Sequence, residues 1–144
     1  MQTIISNSSA RTEELGADFA KRLKGGDVVA LFGGLGAGKT TFVRGIAAGL
    51  GNAHPVSSPT FSIAHEYGGD PPLVHFDMYR ISGWDDLYST GFFDYLDSGA
   101  IIVTEWSENV EEALPDGYYY VRLKRIDDNS RKISIRKHRP KGTD

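Results

Sequence analysis

Short apolar runs alternate along the chain with segments whose apolar residues recur at helical spacing. Mostly apolar runs at 28–32, 73–77 and 100–105 have the length and composition of buried strands. Apolar residues repeat three and four positions apart in 12–23 and 40–50, which predicts two amphipathic helices. Strands and helices that alternate in this way indicate an α/β fold with a parallel sheet.

Capping residues and glycines mark the ends of the two long helices. Thr12, followed by two acids, is predicted to cap the first helix, and Gly25-Gly26 is expected to end it. Gly51 is expected to end the second helix. The shorter predicted elements are an edge strand at 3–5, a half-buried strand at 61–66, short helices at 84–88 and 92–96, a helical turn at 110–114, and a hairpin of strands 118–126 and 132–136.

The segment between the first buried strand and the second long helix is rich in glycine. Residues 33–40 read GGLGAGKT and match G-x-x-x-x-G-K-[ST], the phosphate-binding P-loop. In this motif, backbone N–H groups at a helix N-terminus cradle the phosphates, the lysine (here Lys39) reaches the β- and γ-phosphates, and the hydroxyl (here Thr40) ligates Mg²⁺. The residues expected to contact a nucleotide are Gly33, Leu35, Gly36, Ala37, Gly38, Lys39, Thr40 and Thr41.

The order of strand, glycine loop and helix supports the P-loop assignment, because a chance match to the motif does not require those neighbours. We therefore predict an α/β fold with a single P-loop NTPase-type domain over 1–136. Its mostly parallel central sheet is expected to be flanked by helices and to carry an antiparallel hairpin extension. Residues 137–144 are predicted to form a disordered C-terminal tail.

Two further strands end in carboxylates. Because ligands of open α/β sheets bind at the carboxyl ends of the strands, Asp77 and Glu105 are expected near the phosphates, as metal ligands or as the group that positions water. The alternative for each acid is a surface carboxylate at a strand end. Thr60 follows the P-loop helix and is a candidate switch hydroxyl, with a plain turn threonine as the alternative. His75 is expected to pack or hydrogen-bond internally, with a catalytic role as the alternative.

Composition restricts the chemistry of the chain. The 144 residues include no cysteine, which excludes disulfides, cysteine nucleophiles and cysteine metal sites. No apolar run approaches the ~20 residues of a membrane span, and the first residues lack the features of a signal peptide. We therefore expect a cytoplasmic protein.

The net charge of -3 conceals a strong asymmetry. Residues 122–144 contain nine Lys or Arg and three acids, so this end is basic and the remainder is acidic. A solvated hairpin and a loose tail are the simplest interpretation. The alternative is a surface that meets RNA or an acidic protein.

Several short motifs, in this order, resemble the bacterial TsaE (formerly YjeE) family. They are LGAGKTT at 35–41, SPTF at 58–61, HFDMYR at 75–80 and EW at 105–106, and the resemblance extends over about 12–136. It implies an ATPase, weak by itself, that is needed to make N6-threonylcarbamoyladenosine in tRNA. It also implies a partnership with a TsaD–TsaB pair, in which TsaD transfers the threonylcarbamoyl group and ATP hydrolysis sustains turnover.

The resemblance also implies roles for single residues, with ATP and Mg²⁺ as cofactors. The implied catalytic residues are Lys39, Asp77, Glu105 and Thr60, and the implied metal ligands are Thr40, Asp77 and Glu105. Thr12 matches a family threonine near the nucleotide, and Arg131 matches a hairpin arginine. The chain departs from the family at Gly34, where an aspartate is common. This departure leaves the phosphate cradle intact but removes a nearby carboxylate.

Three alternatives belong to other functional classes. A small-molecule kinase would usually close an arginine-rich lid over the phosphates, but residues 81–121 contain no arginine or lysine. A GTPase would need an Asn-Lys-x-Asp motif, which is absent. A non-catalytic module, in which ATP only orders the loop around Thr60 for a partner, stays open.

Overall fold

The structure is a computed structural model that describes residues 2–34, 36–51, 64–67, 71–78, 81–107 and 110–138. The strands are β1 (Gln2–Ser6), β2 (Val28–Phe32), β3 (Ala64–Glu66), β4 (Leu73–Asp77), β5 (Ile101–Glu105), β6 (Tyr119–Arg125) and β7 (Arg131–Lys137). The α-helices are α1 (Ser9–Ala20), α2 (Lys39–Gly49), α3 (Trp84–Ser89) and α4 (Phe92–Leu96), and a 3₁₀ turn spans Glu111–Ala113. No helix of the described part is long and apolar enough to cross a membrane.

All seven strands form one mixed sheet in the order β1-β7-β6-β2-β5-β4-β3. The four central strands β6, β2, β5 and β4 run parallel, and the pairs at both edges are antiparallel. The predicted α/β class and parallel centre are confirmed. The predicted hairpin lies inside this sheet, because β6 pairs directly with the P-loop strand β2.

One face of the sheet is covered by α1 and α2, which pack closely against each other. Glycine permits this contact: a Cβ added at Gly45 would lie 2.0 Å from the carbonyl oxygen of Glu13. Phe19, Phe42 and Ile46 are almost completely buried in the core between the helices and the sheet. This packing holds α2, and with it the end of the P-loop, against β2.

The second face of the sheet is covered by the two short helices α3 and α4. Phe76 and Met78 are buried against Leu87 of α3 and Phe92 of α4 in a second core, whose strand residues come from β2, β4 and β5. Beyond Tyr120, the basic side chains of β6 and β7 on this face are exposed, and Ser134 is half-buried. The sheet is therefore covered on both faces at its centre and on one face at the hairpin.

The first helix begins earlier than predicted. Ser8 is the N-cap, in an extended conformation, and its hydroxyl accepts from the Arg11 N–H at 3.0 Å. Thr12 lies inside α1, and its buried hydroxyl is 2.7 Å from that of Ser6. The prediction of Thr12 as N-cap is therefore wrong, because a serine one turn earlier can cap the same helix and Thr12 bonds to β1.

Other boundaries also shifted. Helix α1 ends at Ala20, before Gly25-Gly26. Strand β7 includes Lys137, and the N–H of His138 donates to the carbonyl of Tyr118 at 2.7 Å, so these two residues of the predicted tail belong to the fold. The predicted strand at 61–66 is described only from Ala64, and 139–144 lie outside the described residues.

Candidate nucleotide-binding site

The P-loop leaves β2 and enters α2 through backbone conformations that favour glycine. Gly33, Gly36 and Gly38 have φ values of 146°, 75° and 96°. A Cβ at Gly33 would also lie 2.4 Å from the carbonyl oxygen of Leu123 on β6. Leu35 lies outside the described residues. The loop therefore adopts the tight turn that places a helix N-terminus at the end of a strand.

A cleft of about 340 Å³ opens beside this loop. A volume of this size falls in the usual range for small-molecule sites. Its lining residues are Gly36, Ala37, Gly38, Lys39, Thr40, Thr41, Asp77, Glu105, Trp106 and Arg131. The fold thus brings the predicted P-loop residues, both predicted acids and the hairpin arginine to one place, although they are up to 95 positions apart in the chain.

The P-loop lysine is held against an aromatic ring. Lys39 is 7% exposed, and its Nζ lies 4.5 Å from the ring centroid of Trp106. A cation at this distance over an indole face is attracted to the ring. Trp106 was not predicted as a site residue; its signal in the sequence is its place directly after the strand-end acid Glu105.

The two acids are neighbours across parallel strands. Asp77 on β4 pairs in register with Glu105 on β5, so their side chains lie on the same face at the same edge of the sheet. Asp77 is half-buried, whereas Glu105 is 5% exposed. Their lining of the P-loop cleft argues against the interpretation of two unrelated surface carboxylates.

His75 lies beneath the acids. It is fully buried on β4, two residues before Asp77, and its Nε2 is 2.8 Å from Oε2 of Glu105. The expectation of an internal role for His75 is confirmed, and the partner is a predicted site residue. The nearest described aromatic partner of the imidazole is Tyr67, with ring centroids 6.4 Å apart.

The turn after β5 is tightly constrained. Trp106 has a φ of 57°, the one positive value at a described non-glycine residue, and such conformations persist where the surroundings enforce them. The buried hydroxyls of Thr104 and Ser107 are 2.6 Å apart, and Ser107 also donates to the Thr104 carbonyl. The Met78 N–H donates to the Glu105 carbonyl at 3.0 Å. The first two bonds close the turn after β5, and the third joins the ends of β4 and β5.

The donors in the cleft suit a hard cation. The Thr40 hydroxyl and the carboxylates of Asp77 and Glu105 are oxygen ligands, which Mg²⁺ prefers, usually together with water and phosphate oxygens. The described residues contain no group of three or more His, Cys, Asp or Glu that would form an all-protein metal site. The residues present therefore fit an ion that is bound jointly by protein and phosphates.

A smaller pocket of about 80 Å³ adjoins the P-loop on the hairpin side. It is lined by Ser8, Ser9, Thr12, Gly38, Thr41, Asp128, Asn129 and Arg131. Thr12 and Arg131, predicted from distant parts of the sequence, thus lie at one pocket that shares Gly38, Thr41 and Arg131 with the larger cleft.

The turn that carries Arg131 is ordered by Asp127. Backbone N–H groups of Asn129 and Ser130 donate to this carboxylate at 2.9 and 2.8 Å, which lowers the pKa of Asp127, with a smaller contribution from the charge of Arg131. Nη1 of Arg131 donates to the Asp127 carbonyl at 2.8 Å. Thr60, the predicted switch residue, lies outside the described residues.

This fold, with a glycine loop between β2 and α2 and two acids at neighbouring strand ends, defines an α/β protein of the P-loop NTPase type. A family model described as "Threonylcarbamoyl adenosine biosynthesis protein TsaE" matches residues 6–133. The chain belongs to the TsaE family.

Individual relatives agree with this assignment. The chain is 40% identical over 135 residues to "tRNA threonylcarbamoyladenosine biosynthesis protein TsaE" of Bacillus subtilis (strain 168), covering 93% of this chain and 82% of that protein. It is 46% identical over 115 residues to the protein of the same description from Streptomyces coelicolor, covering 78% of each. The crystal structure of YdiB from Bacillus subtilis matches with a TM-score of 0.75 at 34% identity, covering 93% of this chain and 83% of that one.

Proposed function

We propose that the protein takes part in N6-threonylcarbamoyladenosine formation in tRNA as a Mg²⁺-dependent ATPase of the cytoplasm. The observation that carries the hydrolytic part is the single cleft that contains Lys39, Thr40, Asp77 and Glu105. A cation, a hydroxyl and two carboxylates beside a phosphate-binding loop are the groups that phosphoryl-transfer sites use. Membership of the TsaE family supports the biosynthetic part.

Each group has a distinct task in this proposal. The N–H groups at the start of α2 and the ammonium of Lys39 bind the β- and γ-phosphates. Mg²⁺, held by Thr40 and Asp77 with Glu105 beside them, would neutralise charge that develops on the phosphates. A carboxylate oxygen of Glu105 accepts a hydrogen bond from the attacking water and orients it. Thr12 and Arg131 contact the nucleoside side of ATP, and Thr60 responds to the γ-phosphate.

A second protein is part of this proposal. The described residues of the cleft include one cation from the P-loop and one from the hairpin, Lys39 and Arg131, and Lys39 lies against Trp106. A site in which the phosphate-binding lysine rests on a neighbouring ring is expected to be slow until the ring and lysine separate. We propose that a TsaD–TsaB-like pair stimulates hydrolysis and receives its output.

Phosphate release with and without a TsaD–TsaB pair tests the proposal. We expect stimulation by the pair, and we expect Asp77→Asn and Glu105→Gln to reduce stimulated release by about 10²-fold or more while ATP still binds. Asp97→Asn and Glu112→Gln make the same chemical changes at exposed positions outside the cleft and should have no effect.

The outcomes separate the candidate functions. Normal release by both cleft variants would show that the acids are wrongly assigned. ATP binding without release, even with the pair present, would favour the non-catalytic module that uses ATP only to order a loop. Unchanged threonylcarbamoyladenosine in tRNA after depletion of the protein, measured by nucleoside mass spectrometry, would remove the biosynthetic role.

A further inference from the structure

The hairpin end of the sheet presents an open face with a regular pattern of charge. On β6 and β7, Tyr120 pairs with Arg136, Arg122 with Ser134 and Lys124 with Lys132. Directly paired residues project from the same face of a sheet, and this is the face opposite the buried Val121 and Leu123. The four basic side chains are exposed, and together with Tyr120 and Ser134 we call this surface the basic sheet face.

The charge of this face is of one sign. The strands β1, β6 and β7, described in full, contain no carboxylate. The acids nearest in sequence lie in the turn between β6 and β7 and are engaged there: Asp127 accepts from backbone N–H groups, and Asp128 accepts from Arg125, which is on the other face. The positive potential of the face is therefore not cancelled by acids of its own strands.

The ring of Tyr120 fixes the positions of two arginines on the basic sheet face. Nη1 of Arg122 donates to the hydroxyl of Tyr120 at 3.1 Å, and the guanidinium of Arg136 lies 4.5 Å from the centroid of the same ring. The ring itself stacks on Phe32, the last residue of the P-loop strand, with centroids 4.7 Å apart. Two guanidinium groups are thus held in place by a side chain that rests on the core.

We propose that the basic sheet face binds the phosphate backbone of RNA. Exposed Lys and Arg make the contacts that fix a protein on a nucleic-acid backbone, and neutralised phosphates supply most of the affinity. The core of a protein–protein interface is instead depleted of charge, lysine in particular, so an acidic protein fits this face less well. The choice of RNA rests on the proposed role in tRNA modification, and it is independent of ATP hydrolysis.

The face is joined to the nucleotide cleft through one strand. Successive residues of a strand point to opposite faces, so Lys132 belongs to the basic sheet face and Arg131 to the cleft side. RNA held on one side of β7 therefore lies one residue away from a proposed nucleotide contact on the other side.

Binding of an unmodified tRNA transcript, followed by fluorescence anisotropy over a series of salt concentrations, tests the proposal. We expect Lys124→Glu/Lys132→Glu to weaken binding at about 0.1 M salt by at least tenfold and to reduce the salt slope by about 2. The control Lys21→Glu/Lys24→Glu changes two exposed lysines between α1 and β2 by the same net charge and should bind as the wild type does. Lys124→Gln/Lys132→Gln repeats the test without new repulsion.

Every outcome decides the proposal. Wild-type affinity in the Lys124/Lys132 variants, equal loss in the control, or no binding by the wild type would overturn it. Equal affinity for poly-L-glutamate and for tRNA would also overturn it, because the face would then take any polyanion, including an acidic protein. Lys39→Ala separates the two proposals, because it should lose ATP and keep tRNA if the RNA surface is distinct from the nucleotide site.

Discussion

The imidazole Nε2 of His75 lies 2.8 Å from Oε2 of Glu105, and both side chains are almost completely removed from solvent. The two atoms lie within ion-pair distance across two adjacent parallel strands, β4 and β5. The contact limits the directions in which the Glu105 carboxylate can point. His75 therefore positions a proposed catalytic acid without itself lining the cleft.

We expect His75→Leu to lower kcat of pair-stimulated ATP hydrolysis by about tenfold with little change in KM, because the Glu105 carboxylate loses the neighbour that limits its orientation and the nucleotide contacts stay intact. His75→Gln, which can place an amide N–H near the same oxygen, should recover part of the rate. Steady-state kinetics of both variants provide the measurement. Equal losses in kcat for Leu and Gln, or a rise in KM alone, would contradict the positioning role.

We expect nucleotide binding to draw Lys39 away from Trp106, because charged phosphates attract the ammonium more strongly than the indole face does. We expect ATP with Mg²⁺ to change the fluorescence of Trp106, measured in a Trp84→Phe background that removes the other tryptophan. Lys39→Ala should abolish both the change and measurable ATP binding. ATP binding without any spectral change would show that the lysine stays on the ring.

Two adjacent glycines of the P-loop, Gly33 and Gly34, differ in the space available for a side chain. Gly33 has a φ of 146° and no room for a Cβ beside Leu123, whereas a Cβ at Gly34 would have nothing within 4 Å among the described residues. We expect Gly33→Ala to destabilise the fold by about 1–3 kcal/mol and to weaken ATP binding, and Gly34→Ala to do neither. Denaturant melts and ATP titrations make the comparison.

The same geometry bears on the position at which the chain departs from its family. Because the space around Gly34 is open, Gly34→Asp should fold and bind ATP normally. Loss of folding in this variant would show that the departure reflects a packing constraint.

The local pattern of apolar residues was sufficient to predict most of the strands and helices. Strands β2, β4 and β5 and helix α2 lie within a residue or two of their predicted bounds, because apolar runs and helical spacing report burial directly. The bounds of α1 were less predictable, since Ser8 and Thr12 are both capable N-caps and only the bond from Thr12 to Ser6 on β1 shows which one is inside. Such competition between nearby caps depends on contacts with other elements.

The sequence by itself determined the P-loop, its flanking strand and helix, and the acids that end two other strands, because each is a property of residues close together in the chain. Only the tertiary structure decided that Glu105 is in register with Asp77 and in contact with His75, that Lys39 rests on Trp106, and that Arg131 reaches the loop. Those relationships depend on strand order and register, which arise from packing between distant segments and leave no periodic mark in a single sequence.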